Sequence, residues 1–301
     1  MAAQNTIVLV GATGRFGARV AAAVLASRRA RLRIVTRDAS NPKLQPLRDA
    51  GAAIASAELA DATALDSALR DADVVVSTLS GGPAVIVDGQ HQLLRAGERC
   101  GVRRFIPSDY SLDFGALDDG DNVFLDLRRR FADLADASEL AVTHVLVGAF
   151  TEVQLSPVMG IFDLERAVAT PWGTGDEAID MTTLDDAARV VAQLAIDDAA
   201  PRRIAFAGDT TSVRALATTF EQVTGRAMRV EPRGSAAELA RWIARTRTTA
   251  SSPLDYVFAQ YQLAQISGKG ALRSLDNARF PDIVPTTAAA VLRGWLTSPR
   301  S

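Results

Sequence analysis

TIVLVGATGRFG, residues 6–17, runs five β-branched and aliphatic positions straight into Gly11, Gly14 and Gly17, and an apolar Ala/Val pattern follows over residues 18–25. That order reads as strand, tight turn and helix N-terminus. A backbone in such a turn needs residues without a Cβ, both to reach unusual dihedrals and to let a pyrophosphate approach helix N–H groups. The spacing is G-x-x-G-x-x-G, not the commoner G-x-G-x-x-G. Its place after a strand at the head of the chain still reads as a dinucleotide site opening a parallel sheet. Here Thr13, Gly14, Arg15 and Phe16 are expected to line the phosphates. The competing readings are a turn that only tightens a βαβ unit and an Arg15 that is merely solvated.

Charge and composition narrow the partners. The 301 residues carry 33 Lys+Arg against 35 Asp+Glu, a formal charge of -2, so no basic field argues for nucleic acid. Cys100 is the sole cysteine and His91 and His144 the sole histidines, which argues against an intrachain disulfide and against a Cys- or His-rich metal centre. No basic segment followed by an apolar run opens the chain, and no apolar run reaches the length of a membrane span. A cytoplasmic protein without a membrane partner, acting on a small molecule, is the expectation.

Residues 32–36 form the expected second strand, and the charge behind it selects the cofactor. A basic residue there receives a 2′-phosphate, an acidic one a ribose hydroxyl. Thr36 and Arg37 are followed by Asp38; Arg37 is expected to hold the phosphate of NADP(H), and Asp38, favouring NAD(H), is the competitor. Further strands are expected at 52–57, at 73–78 (DVVVST) and at 102–107 (VRRFIP). Asp61 is expected to cap the helix through Leu65 and Leu69. Leu79 and Ser80, behind DVVVST, fall at the carboxyl edge, where such sheets bind ligands.

Ser108, Asp109 and Tyr110 follow the fifth strand. A hydroxyl, a carboxylate and a phenol at a strand end are candidates for polarising a substrate carbonyl, capping and packing being the alternative. The acidic loop 118–121, DDGD, is a candidate mobile cover, and residues 142–147 a returning strand in which His144 reads as a core histidine. The larger domain is expected to span 1–150, with 177–210 returning to it. Residues 151–176 and 211–301 are expected to supply pocket and lid, the first because 157–175 holds Pro171, three glycines and the pair Phe162 and Trp172. In the second, mostly helical sequence from 236 to 266 carries Trp242, Tyr256, Phe258 and Tyr261. The fold class is α/β, a doubly wound parallel Rossmann-like sheet with a smaller C-terminal substrate domain.

Short-chain dehydrogenases place a lysine four residues after a catalytic tyrosine. Here Tyr110, Tyr256 and Tyr261 are followed at that distance by Phe114, Gln260 and Gln265, and the only lysines are Lys43 and Lys269. Taken jointly, VGATGRFG at 10–17, VTR at 35–37, STLSG at 77–81, RRFIPSDY at 103–110 and DNARFPD at 276–282 resemble the atypical short-chain dehydrogenases of the NmrA-like and isoflavone-reductase-like group. The resemblance implies a nucleotide domain, a smaller substrate domain and, in many members, NADP(H). It also implies a nicotinamide-side lysine at or near Leu127, beside Arg128, where this chain has none. Two functions follow: an NADPH-dependent reductase of a small carbonyl, enone or quinone, and a non-catalytic redox sensor that acts through a protein partner.

Overall fold

The computed structural model describes residues 4–297. The chain forms two compact units. The first comprises the chain up to Tyr110, Leu127–Val145 and Ala187–Ile204; the second comprises Ser111–Asp126, Leu146–Asp186 and the chain from Ala205 on. In this division 111–126 and 146–150 belong with the second unit, and 187–204 with the first.

In the first unit, β1 (Thr6–Val10), β2 (Arg31–Thr36), β3 (Ala53–Ser56), β4 (Val74–Ser77), β5 (Arg104–Ile106) and β6 (Ala141–Val142) form one sheet. Their order is β3-β2-β1-β4-β5-β6, and every pairing is parallel. The connections are α1 (Arg15–Ser27), α2 (Gln45–Asp49), α3 (Ala62–Leu69), α4 (Gln90–Arg99) and α5 (Val123–Asp136). A sheet covered on both faces needs strands that are apolar at consecutive positions, and all five β1 residues are buried. Val8 and Val10 pack with Val75 and Phe105 against Leu65 and Leu69 of α3, Leu93 of α4 and Phe131 of α5. Ile7 and Leu9 alternate to the opposite face, where α1 packs on β1 and β2. Burying each such side chain contributes about 1.5–3 kcal/mol, so the sheet holds its edge loops on a stiff base.

Strand order reverses at β1. β2 and β3 lie to one side, β4 to β6 to the other, and the carboxyl ends of β2, β1 and β4 are brought together by the pairings Val10↔Val35 and Val10↔Ser77. Asp61 caps α3 as expected, its Oδ1 accepting the Ala64 N–H at 2.9 Å. The expected strand over 142–147 is instead broken: β6 ends at Val142, Thr143 donates its N–H to Phe105, and His144 donates its own to Arg202. The chain changes hydrogen-bonding partner there.

The second unit has two small sheets, one of Phe162–Asp163, Val168–Ala169 and Arg229–Val230, the other of Ala149–Phe150, Ile179–Thr182 and Asp209–Thr211. Helix Val213–Thr224 packs against helix Ala288–Thr297 through a core that includes Leu216, Phe220, Ala288 and Leu292. The expected helical stretch 236–266 is two helices, Ala236–Thr249 and Val257–Ile266, because Pro253 opens a short 3-10 turn that Ser252 caps. Among the described residues no helix is long and apolar enough to cross a membrane.

Candidate functional site

The β1–α1 turn contains glycine for different local reasons. Gly11 has φ +97°, and a Cβ there would lie 2.7 Å from Thr78 Oγ1. A Cβ on Gly17 would lie 2.2 Å from the Gly11 carbonyl oxygen, so the helix can start this close to the strand only without a side chain. Thr78, which the sequence reading passed over, fastens the turn from β4 by donating its Oγ1–H to the Val10 carbonyl at 2.9 Å.

Gly14 differs. Its φ is -79°, and a Cβ would meet nothing nearer than the Gly11 oxygen at 3.3 Å, a tight contact but far milder than the 2.2 Å at Gly17. The fold therefore does not demand glycine there. Gly14 is also the N-cap of α1, with no side-chain cap, and the first turn carries no acidic residue. A helix start without a capping oxygen or a carboxylate, and with no Cβ at its mouth, leaves its N–H dipoles for an anion from outside the chain. The residues present thus fit a pyrophosphate.

The other expected cofactor residues lie along the same sheet edge, with Thr36 and Arg37 at the end of β2 and Leu79 and Ser80 just past β4. Asp38 is turned back on its own loop: its Oδ1 accepts the Ser40 N–H at 2.9 Å and the Ser40 hydroxyl at 2.5 Å. Those bonds from Ser40 hold its carboxyl below the usual carboxylate range. Thr36 Oγ1 reinforces the turn at 3.3 Å from both the N and O of Asp38. Arg37 is exposed and makes no ion pair among the described residues. Of the two competing charges, the cation is the one not already engaged.

Ser108, Asp109 and Tyr110 are placed together but face inward. Ser108 Oγ donates to the Leu79 carbonyl at 2.7 Å, and its N–H donates to Gln90 Oε1 at 2.9 Å. Tyr110 Oη donates to the Ser77 carbonyl at 3.1 Å, and its ring packs 4.6 Å from that of Phe16. Burial, and then the nearby Asp109 charge, push the Tyr110 phenol well above its ordinary value. Asp109 is fully buried and binds His144. Ser108 and Tyr110 spend their hydroxyl protons, and Asp109 one carboxylate oxygen, on partners inside the unit.

That binding is part of a larger network. His144 Nδ1 lies 2.6 Å from Asp109 Oδ2, its Nε2 lies 2.9 Å from Asp136 Oδ1, and Arg202 Nη2 reaches the same Asp136 oxygen at 2.7 Å. Both ring nitrogens face carboxylates, and only the imidazolium can donate from both. Burial opposes that charge, yet the bonds and charges of Asp109 and Asp136 outweigh it and raise the His144 pKa. Asp136 is lowered: burial pushes it up, and the bonds to His144 and Arg202 prevail. Sequence reading identified His144 as core but had no signal for its partners, which lie 35 and 8 residues away. Gln90, buried beneath Ser108, was likewise invisible to periodicity.

A six-stranded parallel sheet with a glycine-lined helix start at its switch point defines the doubly wound, Rossmann-like class. Within that class the chain belongs to the NmrA-like family, whose family model matches residues 3–238. The isoflavone reductase homolog IRL of Zea mays is 27% identical over 97% of this chain and 99% of its own length. Two solved structures share the fold at lower identity. Leucoanthocyanidin reductase with NADPH from Vitis vinifera superposes with a TM-score of 0.84 at 19% identity, covering 98% of this chain and 100% of that one. An NADPH-dependent quinone oxidoreductase from Escherichia coli superposes at 0.76 and 20% identity, covering 97% and 100%.

Proposed function

We propose that this chain is an NADPH-dependent oxidoreductase that reduces a small carbonyl, enone or quinone. The observation that carries the reading is the carboxyl edge of the sheet, where an uncapped, Gly14-led helix start adjoins a β2 end that engages Asp38 and presents Arg37. Gly14, whose own N–H closes the turn onto the Gly11 carbonyl at 3.0 Å, leaves room for the pyrophosphate; the backbone N–H groups of Arg15, Phe16 and Gly17 hold it, and Arg37 holds the 2′-phosphate. Thr13, Thr36, Leu79 and Ser80 flank the dinucleotide. Reductase names among relatives of both kinds, by sequence and by fold, support the same chemistry. The lone Cys100 supports a reducing, cytoplasmic setting.

When bound, the nicotinamide supplies a hydride. The chain's part is to orient it and to provide for the proton. Leu127, where the family resemblance points to a lysine, is apolar and only 6% exposed. Lys269 Nζ is held by Asp118 at 2.7 Å and Asp121 at 3.0 Å within the second unit. With Ser108, Asp109 and Tyr110 bonded inward, water is the donor to the nascent alkoxide. The same inward bonding favours a second reading, a cofactor-binding redox sensor that acts through a protein partner.

Two measurements separate these. Calorimetric titration of Arg37→Ala is expected to show NADPH affinity reduced at least tenfold and NADH affinity nearly unchanged; equal losses remove the phosphate assignment. A panel of aldehydes, enones and quinones with NADPH is expected to give turnover. No turnover, with tight NADPH binding and cofactor-dependent association with another protein, establishes the sensor.

A further inference from the structure

The second unit contains a cavity of about 500 Å3 that shares no residue with the nucleotide edge. Trp172, Trp242 and Phe258 supply aromatic surface, and Val158 and Leu254 stand at its rim, 51% and 58% exposed. Large apolar groups turned toward solvent around a concavity of this size are characteristic of a small-molecule pocket. Its walls are fixed from within: Gln262, 6% exposed, donates its Nε2–H to the Met159 carbonyl at 2.9 Å and so ties helix Val257–Ile266 to the turn at Pro157–Met159.

Two charged groups line the cavity, Asp255 and Arg233, and each is held on one side by its own surroundings. Asp255 Oδ2 accepts the N–H groups of Ser251 at 3.0 Å and Ser252 at 3.1 Å, which ties the carboxylate to its own turn, while its Oδ1 makes no hydrogen bond among the described residues. Arg233 is anchored through Nη2 alone, to the Gly160 carbonyl and to Thr170 Oγ1 at 2.9 Å, while its Nη1 and Nε make no hydrogen bond among the described residues. An anchored guanidinium with a donor edge to spare is suited to a carboxylate.

We propose that this cavity is a second ligand site, one that binds a flat aromatic carboxylate, with the rings against Trp172, Trp242 and Phe258 and the carboxylate on Arg233. Ring contact supplies affinity, and the single open cation supplies selection for an acid over its neutral amide. A charge-assisted bond is worth about 1.5–3 kcal/mol, so the preference is at least about tenfold.

The experiment titrates the full chain, saturated with NADPH, with naphthoate and with naphthamide by calorimetry. Saturable naphthoate binding is expected, at least about tenfold tighter than naphthamide. Arg233→Gln is expected to abolish that difference, and Trp242→Ala to weaken both ligands, with unchanged circular dichroism and urea midpoint confirming that each variant is folded. The proposal is overturned by absence of saturable binding, by equal affinity for acid and amide, by binding indifferent to both substitutions, or by naphthoate that binds only when NADPH is omitted.

Discussion

Gly14 and Gly17 are three residues apart and chemically identical, yet the turn constrains them differently. A Cβ on Gly17 would press into the Gly11 carbonyl at 2.2 Å, backbone against backbone, and neither side can yield without moving β1 or α1. Gly17→Ala is therefore expected to destabilise the protein by about 1–3 kcal/mol, read as a fall in the urea midpoint. On Gly14 the same methyl meets only one oxygen, at 3.3 Å, and its φ of -79° suits any residue. Gly14→Ala is expected to alter stability by less than about 1 kcal/mol while reducing NADPH affinity at least tenfold, because the methyl occupies the approach of the phosphate. A Gly14→Ala protein that bound NADPH like the parent would remove Gly14 from the cradle.

The strands and helices of the first unit were legible because their signal is local. DVVVST sits among breakers, and the TIVLV–glycine junction contains strand, turn and helix start within twelve residues. The job of Ser108, Asp109 and Tyr110 was not legible, since it depends on where their heads find partners, and these lie 29, 35 and 33 residues away. In place, Ser108 and Tyr110 lace the segment behind β5 to the carbonyls of Leu79 and Ser77 behind and within β4. They hold the loop that carries Leu79 and Ser80. Tyr110→Phe removes one buried bond and leaves the Ser77 carbonyl short of a donor, so a loss of about 1–3 kcal/mol in stability is expected. Turnover in a carbonyl assay is expected to stay within about tenfold of the parent, whereas a proton donor contributes roughly a hundredfold or more. A larger fall in kcat at unchanged NADPH affinity would return Tyr110 to the chemistry.

Across the molecule, the two units are assembled from interleaved stretches, which local periodicity does not show, because it reports a helix or a strand and not the unit that the element joins. His144 illustrates what holds such a patchwork: with Asp109, Asp136 and Arg202 it joins the three separate stretches of the first unit through one buried imidazole. Asp109 is fully buried, its Oδ1 has no partner among the described residues, and its one side-chain partner is the imidazole. His144→Gln is expected to cost about 3 kcal/mol or more, as removing one member of a buried pair does. The pH dependence identifies the cause. Because the folded pKa of His144 is raised, the folded chain keeps this proton to higher pH than the unfolded chain, whose histidine titrates near about 6.5. The network's contribution is thus complete below about pH 6.5 and is lost as pH rises through the folded value. Asp136, lowered in the folded state, acts at the opposite end, its contribution fading only as pH falls below about 3.9. Urea midpoints followed from about pH 5.5 to about pH 8, across the histidine range and below that of an ordinary thiol, are expected to fall with rising pH in the parent and to be lower but nearly flat in His144→Gln. An equal slope in both proteins would show that another group carries the titration and that His144 is held neutral between its two carboxylates.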